Sequence, residues 1–230
     1  MERADIVLAV VPVRDDGELL IAWRGGDKLA GSELVRRRMP EMIRFFRNKV
    51  AAEADIADLV NQTFLGCVGG KDEFRGETSF RRFVYAIANN VLFAYIRRRS
   101  KQAREQLDFA TVCVSDVAPQ SASSIVTDRR ETQALVAALR EIPIEDQVVV
   151  ELMYFEGLSG AQIGEALDLP EGTVRGRLRR GLERLRVRVH AALDAGATST
   201  PPGEDELLQW AAHVQQQLGS TRRRADTDHG

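Results

Sequence analysis

The sequence is short of the residues that most often carry chemistry. Its two cysteines, Cys67 and Cys113, lie far apart and belong to no paired metal-ligand spacing. That excludes a cysteine-built zinc site and a disulfide framework, and it suits a reducing cytoplasm. The three histidines, His190, His213 and His229, fall late in the chain and look incidental. No glycine-rich phosphate loop and no nucleophile-base pairing is present, so no catalytic residue, cofactor or metal is expected, and the protein should not be an enzyme. Excess charge is lacking too. A formal net charge of -2 excludes a protein that coats nucleic acid indiscriminately. The apolar run near the start, IVLAVVPV, follows acidic residues, is interrupted by Pro12 and is too short to span a bilayer. Neither a signal peptide nor a membrane helix is expected. Internal repeats and alternating strand and helix patterns are also missing, which removes solenoids and parallel sheets.

What is present is an ordinary core-forming composition, 44% hydrophobic and 29% charged, with its positive charge focused. Seven arginines stand between Arg175 and Arg188 against one acid, Glu183, and a second cluster holds Arg97, Arg98, Arg99, Lys101 and Arg104. Helical periodicity runs through Leu19 to Trp23, Leu29 to Met39, Met42 to Val50, Asp55 to Cys67 and Ser79 to Arg99. Gly25-Gly26, Pro40 and the glycine-rich 66–71 stretch act as breaks. The pattern predicts an all-α protein: two small helical domains joined by a flexible linker, the second with a helix-turn-helix. The boundaries are an N-terminal extension at 1–17, a first domain at 18–100, a linker at 101–127, a second domain at 128–193, and a tether with a C-terminal tail at 194–230. In that tail Leu207, Trp210, Ala211, Val214 and Leu218 form one stripe, with Glu204, Asp205 and Glu206 in the first turn. This predicts a short amphipathic helix, which either docks on one of the two domains or stays an unattached tail that frays.

The helix-turn-helix is read from LSGAQIGEALDLPEGTVRGRLRRGLERLR. A short helix turns Ile163 and Leu167 inward, Asp168 to Pro170 break it, and a longer helix carries Val174, Leu178 and Leu185 on one face. Pro170 suits the first position of that helix. Arg175 and Arg179, four residues apart, share the opposite face, where an arginine can read guanine O6 and N7 bidentately. Thr173, Gly176 and Arg180 complete the candidate contact set. A solvated basic helix is the plain alternative; turn, apolar stripe and arginine face agreeing in one segment weigh against it.

Aromatic residues make up only 6% of the chain, yet Phe74, Phe80, Phe83, Tyr85, Phe93 and Tyr95 fall within 22 residues, interleaved with Arg75, Arg81 and Arg82. Such a mixture can stack bases while following a phosphate chain. Phe80, Val84, Ile87 and Val91 recur at helical spacing and belong to a core, which leaves the preceding loop and the polar helix face as DNA contacts.

At this point FRGETSFRRFVYAIANNVLFAYIRRR resembles the promoter-melting segment of extracytoplasmic-function sigma factors of bacterial RNA polymerase. ADIADLVNQTFL resembles that family's polymerase-binding helix, and LREIPIEDQVVVELMYFEGLS with the helix-turn-helix resembles its upstream promoter-reading domain. The resemblance covers roughly Gly26 to Arg186. It implies that Asp55, Asp58, Asn61 and Gln62 face core RNA polymerase. It implies further that Phe74, Arg75, Gly76, Glu77, Thr78, Ser79 and Asn90 hold a base flipped from the nontemplate strand of the -10 element. Arg97, Arg98 and Arg99 would bind phosphates beside it, while Thr173, Arg175, Gly176, Arg179 and Arg180 read the -35 element.

Core RNA polymerase and promoter DNA are thus the expected partners, with an anti-sigma factor added by family habit, no membrane insertion and a cytoplasmic location. Two departures stand out: Phe83 where the family usually has tryptophan, and Met153 where many members have arginine. The IVLAVVPV start has no counterpart in the family. Two other readings fit less of the chain. One is a free-standing helix-turn-helix regulator; the other, a protein that sequesters another regulator, leaves the arginine-bearing helix unexplained.

Overall fold

A computed structural model describes residues 14–50, 52–71, 79–99, 108–117, 130–193, 203, 205–207, 209 and 211–212. Helix α1 (Asp16–Arg24) starts on a reciprocal cap: Asp15 accepts from the Glu18 amide while Glu18 accepts from the Asp15 amide. Helix α2 (Lys28–Arg47) is capped by Asp27, whose carboxylate accepts from the amides of Leu29 and Ala30. Trp23 lies so close to Gly31 that a Cβ there would stand 2.4 Å from its indole nitrogen, so the glycine permits the α1–α2 contact.

Two expected breaks are absent. Helix α2 runs through Pro40, held on both sides of it by Arg38, which pairs with Glu41 and Asp16, and by the buried Leu34, Met42 and Phe46. Burial and pairing outweigh the lost backbone hydrogen bond at proline, which costs about 3 kcal/mol. Helix α3 (Glu53–Gly70) likewise continues through the glycine-rich stretch. There the glycines serve close packing on α4 (Phe80–Arg99): a Cβ on Gly66 would meet Ile87 at 2.8 Å, and one on Gly70 would meet Phe83 at 3.1 Å.

The second half comprises α5 (Val114–Val117), α6 (Arg130–Leu139), α7 (Ile144–Tyr154), α8 (Gly160–Leu167) and α9 (Glu171–Leu193). Leu135, Leu139, Ile142, Val150, Leu185 and Val189 form its inner core. The described residues contain no strand beyond an isolated bridge between Cys113 and Pro143.

The two halves are not separate bodies on a loose string. Val148, Val149, Leu152, Ile163 and Val174 join Phe46, Tyr85 and Leu92 in one hydrophobic cluster. Polar groups cross the same boundary. Lys49, wholly buried, pairs with Glu151, and Glu151 also accepts from Asn48 at 3.2 Å and Gln147 at 2.7 Å. Arg44 grips the Glu156 carboxylate with two hydrogen bonds, 3.1 and 2.9 Å, and Arg81 donates to the Glu156 carbonyl at 2.6 Å. The Arg140 guanidinium donates to the Asn48 carbonyl, and Arg82 pairs with Glu165 on α8.

Part of the expected flexible linker is docked as well. Phe109 packs on Phe93 at 4.4 Å, Val114 is buried, and the Ile144 amide donates to the Val112 carbonyl at 2.9 Å. Buried apolar side chains at 109 and 114 account for that order. Residues 101–107 and 118–127 of the expected linker, and the IVLAVVPV segment, lie outside the described residues.

Candidate nucleic-acid interface

The helix-turn-helix forms because each local signal agrees with the packing. Ser159 and Gln162 make a reciprocal cap on α8, and Asp168 ends it in the left-handed region at φ 53°. The Leu169 amide donates to the Gly164 carbonyl at 2.8 Å, and a Cβ on Gly164 would stand 2.8 Å from the Leu169 carbonyl oxygen. Glycine is therefore required for a turn this tight. Pro170 sits one position earlier than expected. Its carbonyl accepts from the Val174 amide at 3.1 Å, so it caps α9 and Glu171 is the first helical residue.

Ile163 and Val174 are buried and Leu167 and Leu178 half-buried, as the periodicity predicts. On the other side of α9, Arg175 is 73% exposed and, among the described residues, forms an i,i+4 pair with Glu171 at 2.6 Å, a contact that solvent screens. Hydrogen bonding to Glu171 raises the Arg175 pKa above its ordinary value. Arg179 and Arg180 are exposed, Thr173 and Gly176 half-buried; Arg180 also reaches Asp146 at 3.5 Å. Asp146 is held by Arg180 and Arg184, yet burial is the largest influence on its carboxyl and raises its pKa. These contacts, with the Arg177–Glu145 pair at 2.6 Å, tie α9 to α7 and leave Arg175 and Arg179 on its outer face.

On α4 the stripe of Phe80, Val84, Tyr85, Ala88, Leu92, Tyr95 and Ile96 is buried, so most of the aromatic cluster is core. Burial raises the Tyr85 hydroxyl well above its ordinary range. Asn90, Arg97, Arg98 and Arg99 are exposed. The arginines are partly engaged: Arg97 lies over the Phe109 ring at 4.9 Å and Arg99 pairs with Asp55 at 3.4 Å. Ser79 is exposed, and its hydroxyl accepts from the Arg82 amide at 3.4 Å at the start of the helix. Phe74, Arg75, Gly76, Glu77 and Thr78 lie outside the described residues. Neighbouring Asn89, not singled out from sequence, has a buried side-chain oxygen without a partner among the described residues.

Of the four residues expected to face the polymerase, three are exposed and one is not. Asp58, Asn61 and Gln62 are exposed on α3, joined by Leu65 at 70% exposure and Val68 at 49%. Asp55 is instead turned toward α4, where it accepts from the Tyr95 hydroxyl at 2.8 Å and pairs with Arg99. Burial first, and that bond second, push the Tyr95 pKa up to about 12. Asp55 stands three residues ahead of Asp58, and on a helix that rotation is enough to meet the neighbouring helix. Leu65 was missed because its spacing alone does not distinguish an apolar residue on the outer face from one on the inner.

Comparison with known proteins agrees with both halves. Residues 34–102 match the family model described as Sigma-70 region 2, and residues 132–185 match Sigma-70, region 4. The chain is 32% identical over 156 residues to the ECF RNA polymerase sigma factor SigE of Mycolicibacterium smegmatis, which spans 67% of this chain and 59% of that protein. It is 27% identical to SigM of Mycobacterium tuberculosis, covering 75% of this chain and 83% of that protein. Among solved structures, CnrH in complex with the cytosolic domain of CnrY superposes with a TM-score of 0.56 at 22% identity, over 79% of this chain and 99% of that one. The sigma factor RpoE of Bartonella quintana, in complex with the anti-sigma factor NepR, gives 0.53 at 18% identity, over 72% and 98%. These two show likeness of fold. With two family models matched in order on the two halves, and the helix-turn-helix in the second, the chain belongs to the extracytoplasmic-function sigma factors of RNA polymerase.

Proposed function

We propose that this protein binds core RNA polymerase and directs promoter recognition, promoter melting and transcription initiation, with nucleotide addition left to the polymerase. The observation that carries this is a helix-turn-helix whose second helix keeps Arg175 and Arg179 outward on a rigidly capped frame. Arg175 and Arg179 contact base edges of the -35 element in the major groove, and Thr173, Gly176 and Arg180 approach its backbone. The loop 74–79 with Asn90 holds an extruded base of the -10 element, and Arg97, Arg98 and Arg99 bind phosphates of the adjoining duplex. Asp58, Asn61 and Gln62 meet the polymerase; Asp55 acts by positioning Tyr95 and Arg99. An anti-sigma protein is the remaining expected partner. The chain works in the cytoplasm and needs no cofactor. Among the described residues no helix is long and apolar enough to cross a membrane.

Size-exclusion chromatography with purified core polymerase tests the assignment. Stoichiometric co-elution that Asp58→Arg abolishes is the expected result. A chain that binds duplex DNA and ignores core polymerase would be a free-standing regulator instead.

A further inference from the structure

Behind the arginine face, α6, α7 and α9 enclose an apolar groove lined by Leu135, Val150, Tyr154, Phe155, Leu182 and Leu185. Residues from the far end of the chain sit in it. Leu207 is 3% exposed and Ala211 4%, and both belong to the second-half core. Around them Asp205, Glu206, Leu207, Gln209, Ala211 and Ala212 are helical. The Gly203 amide donates to the Glu206 carboxylate at 2.8 Å and the Leu207 amide to the Gly203 carbonyl at 3.2 Å, which together start the turn.

Three physical points define what this contact is. First, the segment is joined to α9, which ends at Leu193, by residues 194–202. Returning from there to the level of Leu185 means doubling back eight residues, about 12 Å, and nine tether residues span about 15–18 Å if flexible. The groove is within easy reach, at an effective concentration in the millimolar range. Second, an isolated helix of about 12–15 residues or fewer is marginal in water, so the groove contributes to the order of the turn around Leu207 and Ala211. Third, among the described residues the contact is carried by Leu207 and Ala211, a small apolar area on a tethered segment. The groove lies along the second half of α9, whereas Arg175 and Arg179 stand on the first half and stay exposed with the segment in place. The occupant therefore does not compete with a DNA duplex.

We propose that this groove is a docking site for a short amphipathic helix, and that the chain's own segment 203–212 is its tethered, displaceable occupant. The ligand class follows from the resident: leucine and a small residue four positions apart, behind an acidic first turn. A helical segment of a protein partner with that pattern gains access only by displacing the tail, which makes the tail a built-in competitor for the helix-turn-helix domain. The inference concerns a surface other than the DNA-reading face and does not depend on which promoter, if any, the chain reads.

The test uses the full chain. A fluorescein-labelled peptide of residues 201–218 is titrated against wild-type protein and against Leu207→Glu, with thermal unfolding as the check on the fold. Saturable binding to Leu207→Glu, at least tenfold tighter than to wild type and lost when the peptide itself carries Leu207→Glu, is the expected result. Equal binding to both proteins, or none to a folded Leu207→Glu chain, overturns the proposal. Hydrogen exchange on the wild type supplies a second, independent test even if the variant fails to fold. The amides of 207–212 should exchange through local opening, measurably slower than an unprotected chain and at least a hundredfold faster than Val189. Exchange at the unprotected rate means no docking, and exchange as slow as Val189 means no displacement; either result refutes it.

Discussion

Replacing Lys49 by methionine should separate the two halves of the protein. Lys49 is fully buried where α2 ends, its ammonium donates to the Phe45 carbonyl at 2.7 Å and lies 4.3 Å from the Phe45 ring centre, and its counter-charge Glu151 belongs to the other half. Methionine nearly conserves the volume but leaves the Glu151 carboxylate with the amide donors of Asn48 and Gln147 and the more distant charge of Arg140. Breaking a buried pair from one side costs about 3–5 kcal/mol, because the remaining charge has lost both its hydration and its direct counter-charge. At about 1.4 kcal/mol per factor of ten, the ratio of packed to separated halves falls by two to nearly four powers of ten. The loss should be expressed as separation, since each half keeps its own core. Small-angle scattering should show a larger radius of gyration, and hydrogen exchange should show faster exchange at the contact while Leu59 and Leu185 stay protected. Lys49→Met/Glu151→Met should recover about half the loss, the remainder being the orphaned amides of Asn48 and Gln147 at about 1–3 kcal/mol. An unchanged radius and unchanged exchange in Lys49→Met would refute the reasoning.

Arg175→Ala and Arg179→Ala should each weaken binding to the -35 sequence by about 1–3 kcal/mol in a competition assay and leave core binding intact. Equal weakening on every sequence would make them phosphate contacts. Asp58→Arg should abolish co-elution with core polymerase without changing the melting temperature, whereas Asp55→Ala should lower stability by about 1–3 kcal/mol through the lost Tyr95 bond; the reverse pattern on urea unfolding would contradict the α3 geometry. Gly66→Ala should destabilise by about 1–3 kcal/mol by pushing Ile87 off α3, and a neutral result would mean that α3 and α4 are not so closely packed. Burial pushes the Cys67 thiol up to about 12, so at pH 8 it is protonated and inaccessible. Iodoacetamide should therefore label half-buried Cys113 well before Cys67, as read by peptide mass mapping.

Much of this was legible in the sequence because the signals were local. The cap at Ser159, the turn at Asp168 to Pro170 and the period of Ile163, Val174 and Leu185 define the helix-turn-helix without reference to anything distant. Pro40 and the glycines at 66, 69 and 70 misled because their usual meaning as breaks was overridden by packing: Gly66 and Gly70 are there to let Ile87 and Phe83 approach. Asp55 reads as a surface acid until Tyr95 is brought beside it by the fold. Nothing local marks Lys49 and Glu151 as partners, since 102 residues separate them and each alone looks like an exposed charge. The docking of Phe109 and Val114 was hidden for the same reason, two apolar residues in an otherwise linker-like stretch. The tail is the opposite case: the stripe containing Leu207 and Ala211 leaves docking and a free tail equally open, and the fold supplies the groove between α6, α7 and α9 that decides for docking.

Promoter-specific initiation by core polymerase should depend on this chain. In vitro transcription with purified core, the purified chain and a panel of linear promoter fragments measures it directly. Run-off transcripts are expected from a subset of fragments, dependent on the chain and lost with Arg175→Ala/Arg179→Ala or Asp58→Arg. Co-elution with core but no initiation from any fragment, or initiation indifferent to both sets of substitutions, would contradict it.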